Sequence, residues 1–192
     1  MKRIFNVVRS TVVLGTVVLG VPAVSTTAFA QTADESVARA LTPAPRQLKD
    51  GATVIKWKAD HTYDTVRKGT NRLVCYDRSG EPGYQPFAVQ CTSIGNLERV
   101  AQNRKFEAMA DKVARQAALA AAEKDGTRVK PEFGSVFISM NGPDAATART
   151  HTTIAVPGAT AQSLGLPDNN KQGGAWIMDA GTTTAHIMTP GH

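Results

Sequence analysis

Ser135-Val136-Phe137-Ile138-Ser139-Met140 is an almost continuously apolar run that stops at Asn141-Gly142-Pro143. A run of this length, bounded by turn residues, reads as a strand covered on both faces, and it is the best candidate for the centre of a sheet. Toward the C-terminus, His151 to Val156 is β-branched and ends at Pro157-Gly158, and Trp176-Ile177-Met178 and Ala185-His186-Ile187-Met188 flank a turn at Asp179-Ala180-Gly181-Thr182. Between them Thr160 can cap a single helical turn, Ala161 to Leu164, closed by Gly165. Toward the N-terminus, Ala52 to Lys58 alternates as a strand does. Val66 to Lys68 and Arg72 to Tyr76 flank Gly69-Thr70-Asn71, which reads as a turn tolerant of positive φ. The first half is therefore expected to be a small meander.

One segment has a different period. Leu97, Val100, Ala101, Phe106, Met109, Ala110, Val113, Ala117, Ala120 and Ala121 recur at helical spacing, with Gly126 as the stop. Asp111 and Arg115 are spaced for an i,i+4 pair, and the break in the stripe near Asn103 to Lys105 leaves room for a second cap and a kink. Runs of strands around this helix define an α+β fold: a mostly antiparallel sheet, one long helix packed on it, and one disulfide.

The disulfide follows from export. Lys2, Arg3 and Arg9 precede an apolar stretch from Val12 to Val24, and Ala28-Phe29-Ala30 is a small-x-small cleavage site, so residues 1–30 read as a signal peptide cleaved after Ala30. Gly15, Gly20 and Pro22 interrupt the apolar stretch and argue against a membrane anchor, so no stable membrane insertion is expected after cleavage. Cys75 and Cys91, the only cysteines, lie in the exported part and are expected to pair. The loop they enclose spans about 16 residues and is turn-rich, and its closure is worth about 3 kcal/mol in the chain-entropy model. Residues 31–50 are expected as an N-terminal arm, a short helix or a loose lead-in, and residues 51–192 as a single α+β domain.

Composition agrees with this class. Of 192 residues, 42% are hydrophobic and 20% charged, which excludes disordered, collagen-like, coiled-coil and disulfide-dense chains. The formal charge of +6 suggests nucleic acid until the leader is removed: its three basic residues taken from 22 leave 19 against 16 acidic ones, a net +3. The remainder is uneven, with eight basic and four acidic residues over 46–78 and two basic and four acidic over 131–192. No basic run is interleaved with aromatics, so no nucleic-acid partner is expected.

The order Ala52-Thr53-Val54-Ile55, Lys68-Gly69-Thr70-Asn71-x3-Cys75, Cys91 followed by a helix, Pro131-Glu132-Phe133-Gly134, Gly174-Ala175-Trp176, and Ala185-His186-Ile187-Met188-x-Pro190-Gly191 resembles an uncharacterised family of small exported bacterial proteins. The resemblance spans most of 52–191. It implies a periplasmic or extracellular location and one domain, and it brings no activity, cofactor or catalytic residue.

Chemistry is sparse. The histidines are His61, His151, His186 and His192, and none forms an H-E-x-x-H or H-x-H pair. His186 shares a strand face with Thr184 and Met188, and with His151 it is a weak candidate for a metal pair or for a metal-dependent or hydrolytic enzyme. No G-x-S-x-G or S-x-x-K motif is present, which leaves Ser135, His186 and Asp179 as the one triad to test. Asp60-His61-x2-Asp64 in a polar turn reads as a surface network. No cofactor is expected. The preferred expectation is a binding or accessory protein of the bacterial envelope rather than an enzyme, with an envelope component or small molecule as partner. Its binding surface is placed on Gly69-Thr70-Asn71, the loop between Cys75 and Cys91, and the Trp176 and His186 strands.

Overall fold

The computed structural model describes residues 32–190; the expected signal peptide and His192 lie outside them. Two helices, α1 (Ala33–Ala40) and α2 (Arg46–Lys49), precede strands β1 (Thr53–Trp57), β2 (Tyr63–Arg67), β3 (Leu73–Asp77) and β4 (Phe87–Ser93). Helices α3 (Leu97–Glu107) and α4 (Lys112–Lys124) follow, and then β5 (Val136–Gly142), β6 (Arg149–Ala155), α5 (Ala161–Leu164), β7 (Trp176–Met178) and β8 (His186–Met188). Among the described residues no helix is long and apolar enough to cross a membrane.

The strands form one eight-stranded sheet in the order β2-β1-β3-β4-β5-β6-β8-β7. Every neighbouring pair is antiparallel except β1 and β3, which run parallel over Thr53–Val74 and Val54–Cys75. The fold is thus α+β on a mostly antiparallel sheet. The apolar run at Val136 lies inside it, paired to β4 on one side and β6 on the other.

Alternation sorts the side chains onto two faces. Val54, Leu73, Cys75, Cys91 and Ile138 are buried on one face with Ala40, Leu41 and Ala44. Ile55, Trp57, Val74 and Tyr76 occupy the other with Leu97 and Val100 of α3. A third cluster joins Val156, Ile177 and Ala185 to Ala161 and Leu164 of α5. The stretch before residue 51 is therefore helical and packed, and Thr32 opens it with a capping box to Glu35.

Cys75 and Cys91 are directly opposite on β3 and β4, fully buried and joined at 2.02 Å. The bond cross-links two paired strands. The turn-rich loop beyond them is held by ion pairs instead: Arg78 to Glu81 at 2.8 Å and Glu107 at 2.6 Å, Arg104 to Glu81 at 2.6 Å, and Arg39 to Asp77 at 2.8 Å.

Two expectations are corrected. The single long helix is two: α3 ends at Glu107, and Asp111, expected to pair with Arg115, is the N-cap of α4, accepting from the Val113 and Ala114 N–H groups. A side chain that satisfies two otherwise orphaned donors favours a new start over continuation. Only α3 packs its apolar stripe on the sheet; α4 is largely exposed, with Ala122 its one buried residue.

The second correction concerns the meander. β2 and β3 are not neighbours; the chain crosses the entrance to β1 between them. Thr70 and Asn71 donate their N–H groups to the Gly51 carbonyl at 2.8 and 2.9 Å, and the Asn71 amide donates to the Leu48 carbonyl at 2.7 Å. A Cβ on Gly69 would overlap the Gly51 carbonyl and lie 2.5 Å from the Thr53 nitrogen. Glycine is thus needed at 69 for close backbone approach; the positive-φ residues of the chain lie elsewhere.

Gly69→Ala is expected to cost about 1–3 kcal/mol, the usual penalty of overpacking. Gly174→Ala, with nothing within 4 Å of the added atom and no positive φ, is expected to be close to neutral. Urea unfolding of the two variants checks the contrast.

Candidate functional site

Helix α3 covers the β1–β3 half of its face and leaves the β5–β6–β8 half beside it as a groove. Phe137 is opposite Thr153, Ser139 opposite His151, and Ala155 opposite His186, so cross-strand partners bring these side chains to one face. Two hollows form the groove. One of about 190 Å³ lies among Arg99, Asn103, Pro131, Phe137, Thr153, Thr184 and His186. The other, of about 140 Å³, lies among Arg78, Tyr84, Glu107, Phe137, Ser139 and His151. Asn103, Phe137 and Thr153 border both.

The groove rests on buried arginines. Arg99 is 3% exposed, and it donates to the Val129 carbonyl at 2.5 Å and to the Thr183 and Thr184 hydroxyls at 3.1 and 2.8 Å. Arg128, 7% exposed, donates to Gln102 Oε1 and Asn103 Oδ1 and stacks over the Phe106 ring. Among the described residues neither guanidinium forms an ion pair with a carboxylate. Burial, followed by the Arg128 charge, brings Arg99 down to about 10, with Glu123 opposing the shift. Glu123 reaches Arg99 through Thr183, whose N–H and hydroxyl donate to its two oxygens.

The other end of the groove is electrically balanced. Arg78 is stacked 3.8 Å over the Tyr84 ring and bridges Glu81 and Glu107. Burial opposes its charge, but the Glu107 carboxylate outweighs this and holds the proton more firmly than usual. Burial pushes the Tyr84 hydroxyl up to about 12.

The residues singled out by sequence are dispersed. Gly69, Thr70 and Asn71 form the backbone crossing beside β3, and Trp176 is on edge strand β7, five strand spacings or roughly 24 Å away. These two ends form no common surface. The loop after Cys75, through Arg78 and Tyr84, together with His151 on β6 and His186 on β8, borders the groove. His151 and His186 share a face, but four residues of β6 separate their rows, roughly 13 Å. Asp179 lies 3.8 Å from His186, while Ser135 is two strand spacings away, about 10 Å, with its hydroxyl bonded to the Glu132 carbonyl and the Asn96 amide. Among the described residues no three His, Cys, Asp or Glu side chains are grouped to hold a metal. Among the described residues His61 is the one non-glycine residue besides Asp179 at positive φ, and it sits in the β1–β2 turn with Asp60 capping Thr62.

Sequence reasoning passed over Arg99, Asn103 and Arg128. The trace of the first two is a polar line that starts at the N-cap of α3, with Asn96, Arg99 and Asn103 at i, i+3 and i+7 alongside the apolar stripe; Arg128, beyond α4, leaves none. Comparison with protein-family models, with curated proteins and with solved structures gives no match.

Glu123 yields a pH signature. Burial opposes its ionisation, but the Thr183 hydroxyl and N–H outweigh it and hold the carboxyl below the usual glutamate range. A folded pKa below the unfolded one adds stability that is complete above the unfolded value and is lost as pH falls through the folded one. Glu123→Gln is therefore expected to lower stability at neutral pH, with the gap to the parent closing under acid; urea midpoints measured across pH check this.

Proposed function

We propose that the chain is an exported bacterial protein, periplasmic or secreted, that acts as a binding or accessory component of the envelope, with the groove beside α3 as its binding surface. The observation that carries this reading is the convergence of side chains from α3, β5, β6 and β8 on one concave, half-buried surface, backed by a rigid sheet. The leader-like residues 1–30 and a buried disulfide are compatible with an oxidising compartment.

Binding rather than catalysis is favoured by what the groove's polar groups are doing. Ser139, opposite His151, directs its hydroxyl to the His151 carbonyl, and Ser135, outside the groove, is bonded to the Glu132 carbonyl, so among the described residues neither serine hydroxyl is hydrogen-bonded to an imidazole. The polar side chains that do converge, Arg99, Asn103, Thr153 and His186, are suited to holding a ligand.

Two measurements test the proposal. Intact mass of the protein from its host is expected to give a chain beginning at Gln31 with both cysteines oxidised; a full-length cytoplasmic chain with free thiols would overturn export. Amide shifts on titration with the small-molecule extract of the host envelope are expected to cluster at Asn103, Phe137, Thr153 and His186. Clustering elsewhere would remove the groove from the proposal.

A further inference from the structure

We infer that the hollow between Arg99 and His186 receives one anionic group, a carboxylate or a phosphate, carried by a small molecule; this rests on the reading of the groove as the binding surface. The wall of the hollow carries the donors Arg99, Asn103 and Thr153 beside His186, between apolar Pro131, Phe137 and Ala155, and among the described residues no aspartate or glutamate lines it. Among the described residues the Arg99 Nε has no protein acceptor, and its Nη groups meet only uncharged oxygens.

The other polar groups are oriented by their neighbours. Arg128 donates to Asn103 Oδ1, which fixes the amide with its NH2 end as the free one. His186 Nδ1 lies 2.8 Å from the Thr184 carbonyl, which only accepts, so in the neutral ring Nδ1 carries the hydrogen and Nε2 is an acceptor without a partner among the described residues; only the protonated ring donates there. The Thr153 hydroxyl likewise makes no hydrogen bond among the described residues.

Charge points the same way. Arg99 feels one carboxylate, Glu123, and meets it only through Thr183, while the neighbouring Arg128 adds positive charge. A bound anion supplies the missing counter-charge at low dielectric, whereas a cation would meet an uncompensated guanidinium. Phe137, which borders both hollows, offers a seat for an apolar body attached to the anionic head.

The test titrates the oxidised protein, in chloride buffer, with inorganic phosphate, benzoate, benzyl alcohol and benzamidinium, followed by NMR of the Asn103 side-chain amide, Thr153 and His186. Saturable shifts with phosphate, benzoate or both are expected, and the stronger of the two names the anion class. Arg99→Ala risks unfolding, so the diagnostic variant is Asn103→Asp. It keeps the oxygen that Arg128 needs and replaces the donor end by a carboxylate oxygen. Anion affinity is expected to fall about tenfold or more, with the thermal midpoint unchanged or raised. Unaltered affinity in Asn103→Asp would overturn the inference. Shifts with benzyl alcohol or benzamidinium but with neither anion would overturn it while leaving the groove; silence with all four probes would overturn both.

Discussion

The architecture depends on one backbone crossing. β3 lies parallel to β1 only because residues 68–72 pass over the entrance to β1, with Gly69 against the Gly51 carbonyl and Thr70 and Asn71 donating to that same oxygen. That crossing places Cys75 in the sheet interior, opposite Cys91 on β4. It also directs Val74 and Tyr76 to the same face as Ile55 and Trp57, and this apolar surface is where Leu97 and Val100 of α3 dock. A simple meander would put β2 between β1 and β3 and remove that seat. The groove exists because α3 is held over this half of the sheet and not over β5, β6 and β8.

What could be read from the sequence follows the period of the pattern. The apolar run at Val136, the short strand at Trp176 and the single helical turn from Ala161 to Leu164 occur where the spacing predicts them, because each is bounded by its own turn or cap chemistry. The break between α3 and α4 was only half visible. A gap in the apolar stripe shows near Asn103, while the actual stop depends on Asp111 using its carboxylate on backbone donors rather than on Arg115. The β1–β3 pairing was hidden because a turn signature such as Gly69-Thr70-Asn71 has no handedness. The same residues serve a hairpin or a crossing, and long-range packing selects between them.

The groove was less legible than the fold for a related reason. Hydrophobic period finds the apolar side of α3 and misses the adjacent line Asn96, Arg99 and Asn103, of which Asn96 and Arg99 are buried as deeply as Leu97 and Val100. Asn96 shows how a polar residue can serve as core: its amide donates to Thr92 and Ser135 and accepts from the Glu132 N–H, tying β4 to the approach to β5. Histidine, the residue type a sequence reader examines first, is a weaker guide here. His151 and His186 lie on neighbouring strands of one face but in rows too distant to act together, and only His186 borders the hollow with Arg99.

Buried arginines on uncharged oxygens carry a cost that buried arginines on carboxylates do not. The chain contains both arrangements around α3, which itself carries Arg99 and Arg104. Arg78 and Arg104 reach Glu81 and Glu107 directly, and this pairing locks the loop after β3 onto the C-terminal part of α3. Arg99 and Arg128, toward the other end of the groove, are solvated by carbonyl, hydroxyl and amide oxygens instead. Desolvation of an unpaired guanidinium is unfavourable, so packing alone gives no reason to prefer it over a neutral side chain of similar length. The difference between the two ends is therefore a difference in role. The paired arginines fix structure, and Arg99, without a carboxylate partner among the described residues, lies beside a hollow whose wall also carries Asn103 and Thr153.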